Sequence, residues 1–228
     1  MEQNTVFISY RRSLSRRVRV STHYVLSRAL AYNGSAASFL SSPTDLRAWF
    51  APHDLGPTPS DETHRWVTGA VVELPWGLRF APLMQLASAR PYSSTQGTDV
   101  FGSGHNNAHA ILLKDRPGDY LATRDLTAEQ LRSCLASGSC FQDSYDSLRG
   151  KPFFQLDVRF GKTVKLRERA TLEMFFQAFD LTNRANFGAN YNGNVQSPQF
   201  GQPVGFITPS GVIVPRSFSG EFGAAFRF

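Results

Sequence analysis

The closing stretch, Phe218-Ser219-Gly220-Glu221-Phe222-Gly223-Ala224-Ala225-Phe226-Arg227-Phe228, decides the reading of the fold. Phe218, Phe222, Phe226 and Phe228 hold even positions, with Gly220 and Ala224 between them, while the odd set includes Ser219, Glu221 and Arg227. Extended chain sends successive side chains to opposite faces, so one face is greasy and the other polar. The same parity governs 153–162, where Phe154, Leu156, Val158 and Phe160 oppose Gln155, Asp157 and Arg159. From Arg16 to Ser27, Val18, Val20, Thr22, Tyr24 and Leu26 oppose Arg17, Arg19, Ser21, His23, Val25 and Ser27. Leu78, Phe80, Met84 and Leu86 face away from Arg79 and Gln85. Segments 5–11, 64–74 and 170–182 complete the set, the last with Leu172, Met174 and Phe176 against Glu173 and Gln177.

The connections alternate in length. Short ones fall at Arg12 to Ser15, Pro75 to Gly77 and Lys165 to Arg169, and long polar ones run 33–63, 91–151 and 184–215. A compact soluble domain seldom carries structureless connections beyond about 15 residues. Transmembrane barrels make them ordinary, pairing short periplasmic turns with long extracellular loops on strands of about 9 to 11 residues. The greasy face then meets lipid. The pattern predicts an all-β fold, an antiparallel up-and-down meander of about seven long strands. It reads as an open part of a large transmembrane β-barrel with long extracellular loops, one partial domain over residues 1–228 in the cell outer membrane. Single-chain bacterial barrels hold even strand numbers, so an odd count predicts further strands upstream.

Composition agrees. Charged residues make up 18% of the chain, against about 25% in an average soluble domain. No apolar run approaches the roughly 20 residues of a spanning helix. A mean hydropathy of −0.27 is still compatible with alternating strands in a bilayer. Met1 to Arg12 has no apolar core of signal-peptide length, so either the protein stays where it is made or this is not the true beginning. The net charge of +6 and the cluster Arg11, Arg12, Arg16, Arg17 and Arg19 invite a nucleic-acid reading. No recognition helix or RNA-binding aromatic signature accompanies them, and a solvated turn is the simpler account, so no nucleic-acid partner is expected.

Two cysteines, Cys134 and Cys140, lie six positions apart. That spacing suits a local disulfide in an oxidising compartment better than a zinc site, which needs four ligands; a pair of free thiols is the alternative. Thr127 and Gln130 form a capping-box pattern with Leu126 and Leu131 at staple spacing, and Gly138 is a stop. They predict a helix over 128–136 that brings Cys134 near Cys140. A second short helix is expected to begin at Thr44 or Asp45.

Several blocks, in order, resemble the C-terminal barrel region of TonB-dependent outer-membrane receptors of the Oar-like group. They are Asp61, His64 and Arg65; Ala89 to Ser93; Asp115 to Gly118; and Phe154 to Arg159 followed by Lys162. The clearest runs from Gln177 to Gly188, similar to the family's strand end of an aromatic residue, Asn, Leu and an Asn-Phe pair, with Asp180 where Asn is usual. Phe200, Gly201, Gln202 and the closing Phe-rich strand match too, so the resemblance spans residues 16–228. It implies a plugged barrel of about 22 strands that imports a scarce substrate, a siderophore, glycan or peptide. Energy comes from the TonB complex of the inner membrane. The plug, the TonB-contacting box and an export signal have no counterpart in this chain, which reads as roughly the last third of a longer product and not functional alone. Its expected partners are outer-membrane lipid, the N-terminal strands and plug of the same protein, and through them the TonB complex.

The resemblance also implies that Phe218, Phe222, Phe226 and Phe228 form the signal by which barrel-assembly machinery captures such chains, with edge-strand pairing as the mechanism. Facing lipid would itself account for the same residues. Arg47, Trp49, Phe50, Tyr92, Tyr145, Arg149 and Tyr191 are the expected substrate-contact residues, since loops over a rigid scaffold commonly carry recognition.

Other constellations carry little. His105 and His109 sit four apart, but their Gly and Asn neighbours oppose the helix that would aim both at one metal. Asp99, Asp115, Asp119 and Asp125 lack the spacing of a calcium loop. No G-x-S-x-G elbow is present, and Gly102 and Gly104 lack the Lys and helix of a phosphate loop. No catalytic residue, cofactor site or metal site is expected, and the chain is read as non-enzymatic. Two rivals remain. One is a self-contained small barrel of eight strands acting as an adhesin or structural anchor, closing Val6 against the 216–228 strand. The other is a soluble β-sandwich, whose even-parity face a second sheet would cover.

Overall fold

The computed structural model describes residues 2–32, 51–167, 170–205 and 218–228. Its strands are β1 (Glu2–Ser13), β2 (Val18–Tyr32), β3 (Leu55–Pro57), β4 (His64–Glu73), β5 (Leu78–Ala87) and β6 (Pro91–Tyr92). There follow β7 (Ile111–Leu113), the helix α1 (Ala128–Ala136), β8 (Cys140–Gln142), β9 (Leu148–Arg149), β10 (Phe153–Arg167), β11 (Ala170–Phe179) and β12 (Ser219–Arg227). Seven long strands form one antiparallel sheet in the order β1-β2-β4-β5-β10-β11-β12, with β3 beside β2. No helix among the described residues is long and apolar enough to cross a membrane, which says nothing of strands.

Parity holds across the whole sheet. Val6 faces Leu26, Tyr24 faces Trp66, Trp66 faces Leu86, and Leu86 faces Phe154. Phe80 faces Phe160, Phe160 faces Phe176, and Phe176 faces Phe222. Directly opposed residues share a face, so the even-numbered set makes one continuous apolar surface from β1 to β12. The sheet is straddled by solvent or lipid on that side. Phe160 is 51% exposed, Phe176 45% and Phe222 77%, so no second sheet covers them and a sandwich is excluded among the described residues.

Strand ends differ from expectation in an instructive way. β2 runs on to Tyr32 because Leu30 to Tyr32 gain a partner in β3, and β10 runs to Arg167 through a register shift between Lys165 and Arg167. β11 stops at Phe179 because Asp180 takes a left-handed conformation, φ 46°. Its backbone N–H donates to Asp157 Oδ1 at 2.8 Å, and the Leu181 N–H returns to the Leu156 carbonyl. A short acidic side chain tolerates that conformation as Asn does. The turn Pro75-Trp76-Gly77 is tight: a Cβ on Gly77, φ 72°, would lie 2.5 Å from the Thr163 carbonyl oxygen.

The long connection 91–151, expected to be a polar loop carrying one short helix, is a folded cap. Val100, Ala108, Ile111, Leu131 and Cys140 form a buried cluster there, with Phe101, Leu113, Leu126, Cys134 and Leu135 packed around it. The small sheets β6-β9 and β7-β8 frame it. α1 forms over the expected residues with its capping box intact: Gln130 N–H donates to Thr127 Oγ1, and Thr127 N–H to Gln130 Oε1. Cys134 and Cys140 are joined as a disulfide. A loop that long closes only if it buries something, and this one carries its own apolar set. The helix expected near Thr44 or Asp45 lies outside the described residues.

Candidate functional site

The odd-numbered face is the polar one, and it is organised by arginine. Arg19 and Arg79 both reach Glu73, at 3.6 and 3.0 Å, while Arg159 and Arg227 both reach Glu173, at 3.6 and 3.8 Å. Each glutamate thus serves two arginines on flanking strands. Arg159 also lies over the Phe175 ring at 3.9 Å. That ring in turn covers Gly223, where a Cβ would meet it at 2.3 Å. Arg11, Arg19, Arg79, Arg159, Glu173 and Arg227 line an open trough of about 960 Å³. Exposed pairs of this kind each contribute about 0–1 kcal/mol; their larger effect is a surface with surplus positive charge that attracts anionic groups. Sequence reading missed this lattice, although its signal, Arg and Glu recurring at odd positions, was present.

At the other end of the strands the cap is tied down by buried polar groups. His109 Nε2 sits 3.2 Å from Asp54 Oδ1, with the His53 and Tyr145 rings edge-on at 5.7 and 5.8 Å. The Ser93 hydroxyl donates to Asp146 Oδ1 at 2.7 Å. Burial, opposed by Ser93, His109 and Arg149, pushes the Asp146 carboxyl up to about 6. Asp61 accepts from the Ala29 N–H at 2.9 Å and from Arg149 Nη2 at 3.1 Å, so this ion pair fixes the cap to β2. No pattern in the sequence links Asp54 to His109 across 55 positions, and that contact was not foreseen.

The expected contact residues fall into this base. Tyr92 and Tyr191 stack at 5.0 Å, and burial raises both hydroxyls above their ordinary 10.0. Tyr191 accepts the Lys151 N–H at 2.8 Å, Tyr145 packs on His109, and Arg149 holds Asp61. Arg47, Trp49 and Phe50 lie outside the described residues. His105 is exposed while His109 is buried. Asp99 accepts the Gly104 and Ser103 N–H groups, which lower its pKa, and Asp115 and Asp119 flank Arg116. Among the described residues no three His, Cys, Asp or Glu side chains are grouped to hold a metal.

The closing strand β12 pairs only with β11, and β1 only with β2, so two edges of the sheet are unpaired among the described residues. The aromatic residues Phe218, Phe222, Phe226 and Phe228 are all exposed.

A family model described as an outer membrane beta barrel domain matches residues 3–214. No curated protein and no solved structure gives a significant match. A spanning-length meander with one bare apolar face and one polar face suits a barrel wall in a bilayer, and the chain belongs to the outer membrane β-barrel domain family, located in the outer membrane.

Proposed function

We propose that this chain is the C-terminal barrel segment of a TonB-dependent outer-membrane transporter of the Oar-like group, importing a scarce siderophore, glycan or peptide as part of a larger barrel. The observation that carries the reading is that, among the described residues, the edges at β1 and β12 are unpaired. In hydrocarbon an unsatisfied backbone N–H or C=O costs several kcal/mol, so neither edge is stable there without a neighbour. Further strands of the same protein supply both neighbours, and its plug fills the lumen against the arginine-lined face. The proposed role is transport with no catalytic chemistry. Its partners are membrane lipid, those further strands, the TonB complex reached through them, and the assembly machinery that captures Phe218, Phe222, Phe226 and Phe228. Nucleic acid is not among them. Arg47, Trp49, Phe50, Tyr92, Tyr145, Arg149 and Tyr191 mark the loop region proposed to meet substrate.

The test is refolding of residues 1–228 in detergent, followed by a gel with and without heating. No heat-modifiable compact band is expected. A clean compact monomer would establish the alternative, a self-contained small barrel serving as adhesin or anchor. The reading of the genomic sequence upstream of Met1 supplies a second check, with an in-frame plug domain expected.

A further inference from the structure

The acyl-facing side is not uniformly smooth. Beside Trp66 lies a groove of about 400 Å³ lined by Tyr24, His64, Trp66, Leu86, Phe154 and Arg184, among others. A second hollow of about 470 Å³, walled by Ile8, Tyr10 and Thr22, shares Tyr24 and Trp66 with it. The two run together along the even face of β1, β2 and β4. Two pairs of polar wall groups satisfy each other: Tyr24 Oη bonds His64 Nδ1 at 2.7 Å, and Trp66 Nε1 donates to Thr22 Oγ1 at 2.6 Å. What the groove offers is therefore apolar surface held in a fixed shape, which suits a hydrocarbon chain.

The upper end is different. Ser88 and Pro152 close the groove there, immediately past Ala87 and before Phe153, where the spanning strands β5 and β10 give way to the long connections. At that level Arg184 lines the groove, anchored by a hydrogen bond from Nη2 to the Pro152 carbonyl at 3.1 Å. Lys151, one residue from Pro152, carries its ammonium over the Phe187 ring at 5.8 Å. The nearby acids are committed elsewhere. Glu62 holds Arg65 and Arg90, and buried Asp180 accepts from Thr182 and from the Arg184 backbone N–H. Exposed Arg184 thus stands at the mouth of an apolar channel, and exposed Lys151 is the chain neighbour of Pro152, which closes it.

We infer that this groove binds a phosphorylated, acylated lipid of the outer leaflet, with an acyl chain along Trp66 and a phosphate at Arg184 and Lys151. The inference rests on the acyl-facing assignment of the even face and stands whether or not the barrel transports. The test uses the full-length protein in mild detergent, titrated with bisphosphorylated lipid A and with its dephosphorylated form, and read by native mass spectrometry. The phosphorylated lipid is expected to bind, and Arg184→Gln with Lys151→Gln to weaken it by roughly tenfold or more, the loss expected for charge-assisted contacts. Leu86→Trp, which fills the groove and leaves both cations, is expected to weaken it comparably. Heat-modifiable mobility reports that each variant is folded, and if the charge variant misfolds, Leu86→Trp decides alone. Equal binding of the dephosphorylated lipid, unchanged binding in the variants, or displacement by millimolar inorganic phosphate would each overturn the inference, the last by assigning the cations to free anion.

Discussion

Asp146 shows how one buried carboxyl sets the pH response of the cap. Its pKa is raised from 3.8 to about 6 chiefly by burial, while Ser93, His109 and Arg149 pull it down. The folded cap therefore binds the proton more tightly than the unfolded chain does. That contribution is fully present below about pH 4 and is lost as pH rises through about 6. At neutral pH the ionised carboxylate costs the cap up to about 3 kcal/mol, from about 1.4 kcal/mol per pKa unit. Asp146→Asn retains an acceptor for Ser93 and removes the charge. Amide exchange in residues 91–151 of the variant is expected to slow at pH 7 relative to wild type and to lose its slope between pH 4 and 6. A slope that survives the substitution would place the titration on another group.

At the scale of elements, the two faces of the sheet respond oppositely to charge. Phe176 lies in the aromatic row Phe80, Phe160, Phe176 and Phe222, so Phe176→Arg is expected to cost about 2 kcal/mol or more of membrane-folded stability, measured by denaturant titration in vesicles. Ala225→Ser, on the opposite face of β12, is expected to cost under about 1 kcal/mol. The strands were legible in sequence because period-two alternation is local and each spanning segment repeats it. α1 was legible for the same reason: Thr127, Gln130 and Gly138 sit within one short stretch. The cap core was not. Val100, Ala108 and Leu131 show no common period, and only their packing around the Cys134–Cys140 bond makes them one unit. The ends of β2 were also hidden, since Leu30 to Tyr32 became strand through partners more than 20 positions away. Tyr92, Tyr145 and Tyr191 were recognisable as loop aromatics, but that Tyr92 and Tyr191 would stack required the two loops to be brought together.

The whole molecule divides into a sheet solvated by lipid on one side and a cap that owns the buried apolar cluster. The two should come apart separately. Reduction, or Cys134→Ser with Cys140→Ser, is expected to lower the opening free energy of the cap by about 2 kcal/mol, the loop-entropy value for so short a closure. Exchange protection in β10 and β11 should stay unchanged. Coincident loss of protection in cap and strands would show one cooperative unit. Gly77→Val tests the sheet from its other end: the Thr163 carbonyl must move to admit the side chain, and a loss of about 1–3 kcal/mol is expected with the cap unaffected.

Apart from Arg167 opposite Ala170, beyond the register shift at the end of β10, every pairing among the seven long strands joins residues of like parity. Sequence length inside those strands is consequently quantised. Adding or deleting one residue at mid-strand would present Arg and Glu to the membrane and Phe to the trough for the rest of that strand, unless a bulge like the one near the end of β10 takes it up. Two-residue changes preserve the sides and merely lengthen the span. Lineages that inherit this barrel are thus free to drift in length only where the chain leaves the bilayer, and gaps in an alignment of them should crowd into the cap and its neighbouring connections.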